Sequence, residues 1–200
     1  MTPNALGMMI AATIAASVLL PPGVDAQAAS IADPVARSAA LFVEAAKVFQ
    51  HPRCTNCHAG GNRPSQGPGY PHQPPVRRGA DGFGVTAMRC TTCHQEANFD
   101  PGRVPGVPGW HMAPSSMVLQ ARSLAQICAQ VKDVDRNGGR SLPEIVEHVS
   151  TDPLVVWAWK PGADRQSAPG THASFVALVK AWVDSGAACP RAAHAGPSPR

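Results

Sequence analysis

The chain has 200 residues, a formal net charge of +4, 5% aromatic residues, Gly 18 and Pro 21. That length allows one ordinary domain or two very small ones, and the Gly and Pro content with few aromatics leaves little material for a self-sufficient core. The basic excess is scattered, with Arg77 and Arg78 the only adjacent pair, so a nucleic-acid footprint is not supported.

Leu6 to Leu20 reads LGMMIAATIAASVLL, and PPGVDAQA follows with small residues at Val24, Ala26 and Ala28. This pattern predicts an export leader over 1–26, cleaved near Ala26, and a periplasmic mature protein. The leader lacks Lys or Arg before its apolar run, so an uncleaved anchor is one alternative, although fifteen apolar residues are few for a bilayer span. A buried core helix is another, but Pro21 and Pro22 end the run abruptly. Removing 1–26 removes only Asp25 from the charge count (13 − 1 = 12 acidic against 17 basic), leaving +5.

Asp33-Pro34 predicts a capped helix with Leu41, Phe42, Ala45, Val48 and Phe49 on one stripe. From Ala59 to Arg89, and again over 99–109 (FDPGRVPGVPG), Gly, Pro, Arg and Gln dominate without a period, which predicts loops needing a scaffold from elsewhere. Helical spacing returns at Leu124, Ile127, Cys128 and Val131, and at Leu142, Ile145, Val146 and Val149. A last stripe of Phe175, Leu178, Val179, Trp182 and Val183 opens at Thr171 or Ser174 and closes at Gly186. No alternating strand is visible. The expected fold is mainly α with extensive irregular loops, and the Pro-rich tail at 191–200 is expected to be disordered.

Two ten-residue stretches align without a gap, RCTNCHAGGN from Arg53 and RCTTCHQEAN from Arg89. Each contains CxxCH, in which two thiols one helical turn apart add to the two vinyl groups of a haem and the adjacent histidine ligates its iron. The reading is two covalently bound haem c groups, on Cys54 and Cys57 with His58, and on Cys90 and Cys93 with His94. A four-cysteine zinc site is the rival, and two small disulfides are a third possibility. Zinc is disfavoured by the thirty-two residues between Cys57 and Cys90 and by the histidine following both pairs. Two haems add about four propionate charges, which nearly cancels the +5. Arg53, Arg77, Arg78 and Arg89 are the candidates for pairing with them, solvated surface positions being the alternative.

The ligand opposite each proximal histidine decides between a closed, electron-transferring iron and an open, reactive one. His72, in the loop between the motifs, and His111, in GWHMAP, are the leading candidates. Met112, Met117, His51 and His148 are alternatives, whereas His172 and His194 look like a helix start and a tail. Of the six cysteines, Cys128 and Cys189 remain outside the motifs and are expected to bond each other, a buried thiol plus a free tail thiol being the alternative. DVDRNGGRSLPE, from Asp133 to Glu144, fits a calcium-loop pattern. It is unpaired and carries Arg140 and Pro143 at unsuitable places, so a helix-capping turn is the better reading and calcium is not expected.

These stretches together resemble a family of exported di-haem c-type cytochromes, often labelled the cytochrome subunit of isoquinoline 1-oxidoreductase. HPRCTNCH (51–58), RRG (77–79), MRCTTCHQEAN (88–98), WHMAP (110–114), KDVDRNGG (132–139), HVSTDPLVVWAWKPG (148–162), APGTHASF (168–175) and GAACP (186–190) carry the likeness. The resemblance implies one di-haem cytochrome c domain over 27–190, with a haem-binding part at about 35–110 and a helical part at about 111–190. It also implies single-electron relay from a dehydrogenase or molybdenum hydroxylase to a respiratory-chain acceptor. The rival function is a di-haem peroxidase-like oxidoreductase with one open haem; a calcium- or redox-responsive sensor is a third.

Overall fold

The computed structural model describes residues 33–162 and 164–191. The expected leader at 1–26, His194 and all of the 191–200 tail except Arg191 lie outside the described residues.

Helix α1 spans Pro34–Phe49, and Asp33 starts it by accepting the Val35 amide on Oδ1 at 2.9 Å. The proline sits where its missing N–H costs nothing. The short α2, Pro52–Thr55, follows after two residues. Helices α3 (Leu124–Lys132) and α4 (Leu142–Thr151) each begin with a reciprocal cap, Ser123 with Gln126 and Ser141 with Glu144. Asp152 caps the short α5, Pro153–Trp157. Helix α6, His172–Asp184, opens with Thr171 and Ser174 capping each other and ends before Gly186, whose φ of +96° suits a residue without a Cβ.

The apolar stripes of α1 and α6 face each other. Phe42 lies 5.0 Å from Trp182, and Phe49 meets Phe175 edge-on at 5.2 Å. Ile127, Cys128 and Val131 of α3 and Ile145 and Val149 of α4 complete the core. Ser38 is fully buried on α1, and its hydroxyl is satisfied at once by the Ala188 amide (3.0 Å) and the Ser185 hydroxyl (3.0 Å).

Two minimal hairpins depart from the strand-free expectation: β1 (Ser65–Gln66) with β2 (Tyr70–Pro71), and β3 (Gly84–Val85) with β4 (Met88–Arg89). Two residues per strand cannot show alternation, which is why they are silent in the sequence. Between Gly60 and His111 no hydrophobic side chain is buried. The segment carrying the second motif therefore has no apolar interior of its own, as its composition implied. Among the described residues no helix is long and apolar enough to cross a membrane.

The expected Cys128–Cys189 disulfide is present, with the two Cα atoms 5.6 Å apart and a sequence separation of 61. Closing a loop of that length restricts the unfolded chain by about 4 kcal/mol. The Cys128→Ser/Cys189→Ser variant is expected to lose about that much in urea titrations. A loss below about 1 kcal/mol would mean that residual structure already confines the unfolded loop.

Candidate functional site

Both cysteine motifs fold into the same closed turn. The His58 amide donates to the Cys54 carbonyl at 3.0 Å, and the His94 amide donates to the Cys90 carbonyl at 2.9 Å. The first turn continues α2, and the second opens as a 3-10 turn over Cys90–Thr92. In each, two thiols and an imidazole are presented from one turn of backbone, and all four thiols are unpaired.

Each motif histidine is fixed from behind by a carbonyl. His58 Nδ1 lies 3.0 Å from the Met117 oxygen, and His94 Nδ1 lies 2.7 Å from the Pro105 oxygen. A carbonyl can only accept, so Nδ1 carries the proton and Nε2 keeps its lone pair. Burial drives the His58 pKa down to about 4, against the opposing pull of the Met117 carbonyl. His94 is lowered too, again chiefly by burial, with the Pro105 carbonyl opposing. Both rings are therefore neutral donors at neutral pH, in the tautomer that metal-ligating histidines adopt. Burial also raises Cys54 to about 12 and Cys57 to about 11, so these thiols stay protonated.

Gly106 keeps the Pro105 carbonyl in place, because a Cβ there would strike the Ala97 and Gln95 carbonyls. Asn98, the last residue of the second repeat, ties the same loop down: its Oδ1 accepts the Gly106 amide and the Trp157 indole N–H, both at 3.0 Å.

Two cavities open in front of the turns. The larger, about 520 Å³, is walled by Cys90, Cys93, His94 and His72, and the narrower, about 140 Å³, by Cys54, His58, His148 and Met117. Arg53, Cys57, Trp110, His111 and Trp157 line both and form a shared wall. Trp110 stacks on His94 at 4.4 Å and 5°, and meets Trp157 edge-on at 5.0 Å.

The candidate ligands separate by their surroundings. His72 lies 5.9 Å from His94, ring centroid to ring centroid, and its Nδ1 is 3.0 Å from the Pro74 carbonyl. His111 has Nδ1 2.6 Å from the Gly109 carbonyl and stacks on Phe83 at 4.8 Å. Met112 lines the larger cavity and Met117 the narrower, but Met117 already holds His58 through its carbonyl. That puts it on the His58 side of any metal the ring would bind. His51 accepts the Arg53 amide at the start of α2 and lines neither cavity. His172 Nε2 is taken by the Val149 carbonyl at 2.8 Å.

Among the arginines expected to face anions, Arg53 lines both cavities and rests over Trp157 at 5.4 Å. Arg89 lines the larger one but pairs with Asp81 at 2.9 Å. Arg78 is buried and bonded to the Ala113 carbonyl, and Arg77 lines neither. Arg165, which sequence spacing does not single out, lines the larger cavity, and its Nη2 is buried without a partner. Its Nη1 lies 3.6 Å from Asp100 Oδ1, so Nη2 is the part of the guanidinium left to meet a carboxylate.

No family model, curated protein or solved structure matches this chain. The site is therefore interpreted from its own donors. Among the described residues no three His, Cys, Asp or Glu side chains gather as a ligand set for a bare metal ion. The calcium-like loop spends its side chains locally: Glu144 accepts from Ser141, and Asn137 bonds the Val131 and Arg140 carbonyls at 2.8 Å each.

Proposed function

We propose that this protein is a periplasmic di-haem c-type cytochrome that relays single electrons. The observation that carries the reading is the pair of CxxCH turns, each with its histidine held at Nδ1 by a carbonyl and lining a cavity. When bound, a c-type haem supplies an iron that passes between ferrous and ferric states. Cys54 with Cys57, and Cys90 with Cys93, would anchor the two groups as thioethers, each S–H adding across a vinyl double bond, and His58 and His94 would each give the iron a nitrogen. The pairs border different cavities apart from Cys57 in the shared wall, an arrangement that suits two porphyrins better than one four-thiol zinc site.

The larger cavity falls within the size range of pockets for organic ligands. The narrower slot has to widen around a macrocycle, and its lining of Phe49, Leu119, Val131, Val149 and Phe175 suits one. His72, whose ring lies 5.9 Å from that of His94 on the wall of the same cavity, would supply a second imidazole to the group held there. For the first iron, His111 and His148 are the candidates in the narrower cavity. Closed coordination at both irons favours electron transfer over substrate activation. Arg53 and Arg165 are placed to meet propionates. The sequence resemblance points to a molybdenum hydroxylase or another dehydrogenase as donor and a respiratory-chain protein as acceptor.

Mass spectrometry of protein matured in a haem-competent host is expected to show two added porphyrin masses; none would overturn the reading. The His72→Ala variant is expected to turn one low-spin haem high-spin. An unchanged spectrum would remove His72, and an already high-spin wild-type haem that responds to peroxide would favour the peroxidase-like alternative.

A further inference from the structure

We propose that His148 is the sixth ligand of the iron held by His58, and that Asp152 orients it and tunes that iron. The inference rests on the di-haem reading and makes the two irons unequal.

His148 projects from α4 into the narrower cavity, on whose wall His58 also lies. Its Nδ1 is 3.4 Å from Asp152 Oδ2, one helical turn further on. The other carboxylate oxygen, Oδ1, accepts the Leu154 and Val155 amides at 2.9 and 3.3 Å, so the start of α5 immobilises the carboxylate. With the Nδ1 proton directed at an anion, Nε2 keeps its lone pair and has no hydrogen-bond partner among the described residues. The carboxylate–histidine–metal arrangement is the usual way a protein orients an imidazole ligand and raises its basicity. His111 competes for the position. It sits in the shared wall, stacked on Phe83, on a loop outside any helix, whereas His148 is fixed on a capped helix of the main core.

The consequence is an asymmetry. His94 and His72 both rest on neutral carbonyls, those of Pro105 and Pro74. The first iron would have one imidazole on the Met117 carbonyl and the other on an ionised carboxylate. A more basic ligand stabilises the ferric state, so the carboxylate holds the first-motif haem at a lower potential than the same site would have without it.

The test uses purified holoprotein, with haem per chain counted by the pyridine haemochrome. In His148→Ala the count is expected to stay at two while half of the low-spin ferric signal converts to high spin, and added imidazole is expected to restore it. Two low-spin haems in that variant would overturn the proposal. His111→Ala is expected to keep both haems low-spin, and a high-spin signal there would also overturn it. If His148→Ala fails to mature, His148→Met replaces it: one of the two midpoints is expected to rise, and unchanged midpoints refute the assignment. Asp152→Asn is expected to keep both haems low-spin and raise only one midpoint, the one that His148→Met also raises; an unmoved midpoint removes its tuning role. A wild-type protein lacking two haems would instead overturn the underlying reading, which the haem count separates from these outcomes.

Discussion

Replacing Trp182 with alanine is expected to lower the unfolding free energy by about 3–5 kcal/mol, measured by urea or thermal titration. Trp182 is 1% exposed, packs on Phe42 at 5.0 Å, and donates its indole N–H to the Ala188 carbonyl at 2.9 Å. Truncation removes the largest fully buried side chain, opens a cavity between α1 and α6 and leaves the half-buried Ala188 carbonyl without its donor. Against a total stability of about 5–15 kcal/mol, that leaves a marginal fold. Val35→Ala, at a position 63% exposed on the same pair of helices, is expected to change stability by less than about 0.5 kcal/mol. Equal losses at the two sites would show that the α1–α6 packing is not what holds the molecule together.

The second large effect concerns the site. If each thiol pair anchors one haem as proposed, Cys90→Ala/Cys93→Ala is expected to lower the mass of the matured protein by one porphyrin and roughly halve its haem absorbance. The remaining group should stay attached through Cys54 and Cys57. The reciprocal variant, Cys54→Ala/Cys57→Ala, should also reduce stability, since Cys54 packs against the main core whereas Cys93 is exposed. An unchanged mass in the Cys90→Ala/Cys93→Ala variant would refute the proposed attachment.

Much of the helical frame is legible in the sequence, because α1, α3, α4 and α6 carry apolar stripes bounded by Asp33, Ser123, Ser141 and Thr171. The disulfide was legible by subtraction, two cysteines remaining once the repeated motifs are set aside. Helices α2 and α5 were not, since four or five residues complete no stripe. At the site, the thiols and proximal histidines follow from spacing, but their supports do not. Every residue carries a carbonyl, so nothing marks Met117 or Pro105 as the ones that orient His58 and His94. Arg165 and Trp157 arrive from the far end of the chain. Conversely, Arg78 lies in the loop between the two repeats but spends its guanidinium on the Ala113 carbonyl.

The contacts of Ser38 span nearly the whole described chain, its bond from the Ala188 amide joining residues 150 apart in sequence. Interactions so remote in sequence form late, after a large loss of chain entropy. As residues emerge in order, α1 can meet α3 early but lacks its principal partner until α6 has been made. Until α6 arrives the helical core stays open and Cys54, which packs against it, stays accessible, whereas Cys93 is exposed in the finished fold.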